Sequence, residues 1–179
     1  MKRLHLILAF ICLSVLPGVA EQILIESPLT SKAIKFERQS DREEYRLIVS
    51  NTKGEVIYKS ILLGSNVDTK SIVWNKKSDR VAFSCGSPFL MNCYVLTFKK
   101  DSPKLLLLPS PKSGWDNFYQ KPVKWKGSRI HLQVTGPYAG KSKGYSYNGS
   151  MIISMPDGKV GAKVIDEKIV VEQVAAPNR

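Results

Sequence analysis

Ser71-Ile72-Val73-Trp74, Asn75-Lys76-Lys77-Ser78-Asp79, Arg80-Val81-Ala82-Phe83-Ser84 and, after a short interval, Cys93-Tyr94-Val95-Leu96-Thr97-Phe98 form the stretch that decides the fold. Its apolar runs are rich in β-branched and aromatic residues and are too short for stable helices. Between the first two lies a polar segment with Asn, Ser and Asp, residues that tolerate tight-turn backbone and bond to it locally. Such a pattern predicts two strands joined as a hairpin, followed by a third.

The same pattern extends outward in both directions. Strand-like runs occupy Gln22–Glu26, Ala33–Arg38, Glu44–Ser50, Glu55–Leu62, Leu105–Leu108, Val123–Trp125, Arg129–Thr135, Ser150–Met155 and Val160–Val164. Turn chemistry separates several of them: Asn51-Thr52-Lys53-Gly54, Lys126-Gly127-Ser128 and Pro156-Asp157-Gly158-Lys159. No segment after residue 20 sustains the i, i+3, i+4, i+7 apolar spacing of an amphipathic helix. The expected fold class is all-β, built from antiparallel hairpins, in one domain spanning residues 21–179.

An imperfect repeat runs through these strands. One unit covers Ser71 to Pro109 and a second covers Pro122 to Val164, each with four strands and with Trp74 or Trp125 closing the first of them. Tyr45 to Leu62 reads as the last two strands of a further unit. Four strands recurring every ~45–50 residues is the spacing of propeller blades. The segment Trp74 to Ser84 resembles the blade signature of TolB-type exported β-propellers, which belong with WD-type repeats: a Trp, a polar turn with Asp, and an Ile-Ala-Phe-Ser-like strand. It departs from that signature in lacking the Pro and Gly of the usual turn, and the Trp125 unit has a shorter turn. The resemblance implies a propeller-like repeat and is nearly silent on activity, because propellers host many functions. Fewer than four blades are visible, so a propeller-like stack and a β-sandwich both remain open.

The amino terminus reads as an address. Lys2 and Arg3 precede an apolar core from Leu4 to Leu16, and Pro17-Gly18-Val19-Ala20 ends on small residues suited to a signal peptidase. The apolar core is too short to span a bilayer, and no later run serves as a membrane anchor. Phe10 and Ile11 before Cys12 do not fit a lipoprotein cleavage site. Secretion, or export to a periplasm, with cleavage after Ala20 is the expectation. Removing Met1–Ala20, which holds Lys2 and Arg3, leaves 159 of 179 residues and 25 of the 27 Lys and Arg against all 15 Asp and Glu, a formal charge of +10. A basic surface favours anionic partners such as acidic proteins, glycans or lipid head groups. Export makes nucleic acid a poor candidate.

After cleavage two cysteines remain, Cys85 and Cys93. An even pair close in sequence, in an oxidising compartment, predicts a disulfide pinning the hairpin between their strands. Seven intervening residues do not make a Cys-x-x-Cys redox motif, and a single histidine, His131, is too few for a typical zinc site. No metal or phosphate-binding motif appears, so no cofactor is expected. His131 alternates with Ile130 and Leu132 on its strand and so belongs to the more polar face. Neither a nucleophile elbow nor a spaced carboxylate dyad accompanies it.

Two aromatic loops are the candidate recognition surface. Gly114 to Pro122 carries Trp115, Phe118 and Tyr119, and Gly136 to Asn148 carries Tyr138, Lys141, Lys143, Tyr145 and Tyr147. Tyr and Trp bury area at low entropic cost and keep a polar handle, which suits interfaces. Asn148-Gly149-Ser150 matches a glycosylation acceptor. The combined reading is a non-enzymatic exported β-domain that binds another macromolecule, a protein first and an anionic envelope component second. An inhibitor or immunity protein is a narrower version of it. The alternatives are an envelope-polymer hydrolase or lyase using His131 or Asp116, and a structural component that completes its repeat by self-association.

Overall fold

The computed structural model describes residues 21–27, 33–39, 41–99, 102–112, 117–137, 145–155 and 161–173. All twelve of its regular elements are strands: β1 Gln22–Glu26, β2 Ala33–Gln39, β3 Glu44–Ser50, β4 Val56–Leu62, β5 Asn66–Trp74, β6 Arg80–Gly86, β7 Met91–Lys99, β8 Ser102–Leu107, β9 Tyr119–Lys126, β10 Arg129–Pro137, β11 Tyr145–Ser154 and β12 Lys163–Gln173. Each pairs antiparallel with its successor in three runs of four, β1–β4, β5–β8 and β9–β12. One parallel bridge, Met91 to Tyr119, links the second run to the third. The chain is therefore all-β and antiparallel, and Tyr45–Leu62 does supply the last two strands of a four-stranded run.

The second run is the middle layer. Every residue of β6 is buried, as expected of a strand covered on both faces. Val81, Phe83 and Cys85, with Leu96 and Phe98 of β7, pack against Ile34, Phe36, Leu47 and Val49 of the first run. Ala82, Cys93 and Val95 point the other way, into a second core with Ile130, Leu132, Val134, Met151 and Ile153. Phe83 joins the first interface by meeting Phe36 edge-on at 5.0 Å and stacking on Tyr94 at 5.8 Å. Two apolar cores, one on each face of the second run, fix the order of the three runs.

That alternation overturns the expected disulfide. In the β6–β7 register Ser84 lies opposite Cys93 and Cys85 lies opposite Asn92. The two cysteines are thus one step out of register, and a one-residue offset sends side chains to opposite faces. Cys85 sits in the first core and Cys93 in the second, both as free thiols. Side chains pointing apart through a sheet do not bridge without moving the backbone. Burial pushes the Cys85 thiol up to about 12 and raises that of Cys93 as well.

Two local expectations also need correction. The last strand is Lys163–Gln173 rather than Val160–Val164, and it pairs with β11 along its length. Tyr145–Asn148, read as loop, belongs to β11; β12 pairs all four residues and β10 pairs Ser146, Tyr147 and Asn148. The turn lacking the usual glycine solves its geometry with Ser78, which adopts φ 51°, a conformation uncommon outside glycine, asparagine and aspartate. In the corresponding turn of the third run, Gly127 takes the positive φ at 58°, as a two-residue hairpin loop requires. Residues 1–20, where a signal peptide is expected, lie outside the described residues. Among those described, no helix is long and apolar enough to cross a membrane.

Candidate functional site: a cationic cavity between the second and third layers

The β5–β6 turn is built around one side chain. The Asn75 amide oxygen accepts the N–H groups of Asp79 and Arg80, both at 3.1 Å, and its Nδ2 donates to the Asp79 carboxylate at 2.6 Å. The Ser78 N–H closes the turn on the Asn75 carbonyl at 2.9 Å, and the Phe98 N–H of β7 donates to the Asp79 carbonyl at 2.8 Å. An asparagine side chain standing in for backbone in this way makes a tight, ordered turn. Lys76 and Lys77 at its tip are thereby carried on a rigid base.

The facing wall comes from the third layer. Trp125, at the end of β9, donates its indole N–H to the Val73 carbonyl of β5 at 3.0 Å. The buried Arg80 guanidinium donates through Nη1 to the Met155 carbonyl at 2.8 Å. These two hydrogen bonds tie the layers together at one end of the stack. Between them opens a cavity of about 500 Å³ lined by Asn75, Lys76, Lys77, Asp79, Arg80, Thr97, Phe98, Trp125, Gly127 and Ser128. Its size falls within the range of small-ligand sites. Three lining cations face one carboxylate, Asp79, which is already hydrogen-bonded within its turn. Neither Lys76 nor Lys77 is ion-paired among the described residues. A cation-lined concavity with an indole in its wall can hold an anionic group beside an apolar surface.

A second, shallower depression of about 440 Å³ lies on the outer face of the third layer. It is lined by Val123, His131, Leu132, Gln133, Asn148, Gly149, Ser150, Lys168 and Val170. His131 is here, on the polar face its alternation predicted. Desolvation, then Lys126, Lys124 and Arg129, hold its pKa below the ordinary imidazole value, so the ring is neutral at pH 7. Asn148 of the glycosylation motif is exposed, on a backbone paired with both Thr135 and Val170.

The residues expected from sequence to form the recognition surface are dispersed. Phe118 is only 6% exposed and belongs to the second core, so it has no surface to offer a partner. Tyr119 is half-buried and its hydroxyl donates to the Asp68 carboxylate of β5. Tyr145 and Tyr147 lie within β11. Trp115, Asp116, Tyr138, Lys141 and Lys143 lie outside the described residues. The cavity residues were visible in the sequence only as a polar turn and a repeated Trp. The available signal was that the same Trp-then-turn pattern occurs in successive units, placing one unit's turn beside the next unit's Trp.

Comparison of the chain with protein-family models, with curated proteins and with solved structures gave no match. The likeness to TolB-type blades therefore stands on the residues quoted for it.

Proposed function

We propose that this chain is an exported β-domain whose work is to bind another macromolecule of anionic character, without transforming it. One observation carries the reading: a cavity with Lys76, Lys77 and Arg80 in its wall and its only lining carboxylate committed to a turn. The surrounding hydrogen bonds hold this wall in one geometry before any partner arrives, which reduces the ordering cost of binding. The formal charge of +10 on the chain from Glu21 onward adds long-range attraction to the local one. Signal-peptide chemistry at Met1–Ala20 supports a partner in the periplasm or outside the cell.

The test is retention of envelope material from the source organism on the immobilised mature protein. A specific macromolecule should bind at low salt and elute as ionic strength rises through ~0.3 M, since exposed charges are screened over a shorter distance there. The charge-reversal variant K76E/K77E should retain little of it. Retention unaffected by both salt and charge reversal would refute the proposal.

A further inference from the structure

We infer that the cavity between the Asn75–Asp79 turn and Trp125 is a subsite for an acidic sugar, a pyranose carrying a carboxylate, within an anionic glycan. This rests on the binding reading above and names the chemistry of its ligand. The cavity offers two kinds of surface at once. Lys76 and Lys77 supply cationic N–H donors for a carboxylate, with the buried Arg80 guanidinium adding positive charge behind them, while the half-buried Trp125 supplies aromatic carbon. Thr97 and Ser128 add polar side chains suited to ring hydroxyls. A pyranose has the matching pattern, with C–H groups to lay on aromatic carbon and hydroxyls around its rim.

Preorganisation separates this site from a chance gathering of lysines. The Trp125 indole is anchored by its bond to Val73, Arg80 by its bond to Met155, and the lysine turn by the four contacts of Asn75. The Trp125 and Arg80 bonds cross between the second and third runs while the Asn75 bonds hold the turn itself, so both walls are fixed relative to one another. A cavity of about 500 Å³ accommodates one or two sugar rings, whereas a protein partner's face would meet a broader, flatter surface. The paired cations favour a charged sugar over a neutral one, and the aromatic wall favours a ring over a flexible acidic side chain.

Isothermal calorimetry on the mature protein tests this with three probes: a galacturonic acid tetrasaccharide, a galactose tetrasaccharide and a tetraglutamate peptide. The uronate should bind, more weakly as salt rises, and the neutral sugar should bind at least about tenfold more weakly. Exchanging both turn lysines for serine, K76S/K77S, should cost the uronate about tenfold or more, with an unchanged thermal midpoint because both side chains lie at a turn tip. The variant W125F, which keeps a ring but loses the Val73 bond, should weaken the uronate and the galactose alike. Tetraglutamate binding as tightly as the uronate would overturn the sugar assignment in favour of an acidic peptide. No uronate binding, or binding indifferent to K76S/K77S, would overturn it outright. If salt-sensitive retention of an envelope macromolecule persists in that event, the ligand class falls while the proposed function stands.

Discussion

Replacing Gln120 with leucine should loosen the seam between the second and third layers. Gln120 is fully buried. Its Nε2 donates to the Pro109 carbonyl at 2.7 Å, and its Oε1 accepts the Cys93 N–H at 3.1 Å. Gln120→Leu nearly preserves volume but leaves the buried Cys93 N–H without a partner and takes a donor from the part-buried Pro109 carbonyl. Each orphan costs about 1–3 kcal/mol, offset in part because leucine brings no polar group of its own, so a net loss of about 3 kcal/mol is expected. For a domain of this size that lowers Tm by about 6–12 °C. Urea denaturation, followed by tryptophan fluorescence, measures the change with the m-value as a check on the two-state assumption. Gln120→Glu should be worse than leucine at neutral pH, because its charge would face the Pro109 carbonyl in an apolar setting. A leucine variant within ~0.5 kcal/mol of wild type would refute the idea that this side chain fastens the layers.

Three further outcomes follow from the geometry. Cys85 and Cys93 should resist alkylation in the native mature protein and both react in guanidinium, while added reductant leaves Tm unchanged; a single intramolecular disulfide by mass spectrometry would contradict the opposite-face placement. Gly149→Ala should cost about 1–3 kcal/mol in a denaturation experiment, because the new Cβ would run into the Lys168 carbonyl and the Ile169 backbone of the neighbouring strand. For His131 the folded pKa lies below the unfolded one, so the unfolded chain binds the extra proton. Its contribution is present above the unfolded value of about 6.5 and is lost as pH falls from there through the lower folded pKa, and His131→Gln should flatten the stability curve below about pH 6.5. A variant curve parallel to wild type below about pH 6.5 would contradict this.

Much of the fold was legible because strand signals are local. β-branched runs and Asn, Asp or Gly turns located β1 to β11, although ends such as Asn66–Lys70 and Tyr145–Asn148 were missed where cross-strand pairing overrides polar composition. The last strand was misplaced because Asp166-Glu167-Lys168 interrupts its apolar alternation, and pairing with β11 outweighs that interruption. The cysteine error has a different source. Whether two residues on neighbouring strands share a face depends on register, which the Gly86–Met91 connection sets and composition does not reveal. The candidate site was obscured for a related reason, since Lys76 and Trp125 meet only through the packing of successive layers. Aromatic content drew attention to Phe118 and Tyr119, which the fold uses for its own core and for the bond to Asp68.

The central claim is that partners engage this chain at the cationic cavity between its second and third layers. Hydrogen exchange on the protein, with and without the galacturonic acid tetrasaccharide, tests that claim most directly. Protection should appear at the Asn75–Arg80 turn, at Thr97–Phe98 and at Trp125–Ser128. Protection confined to the His131, Ser150 and Lys168 face, with those segments unchanged, would contradict it.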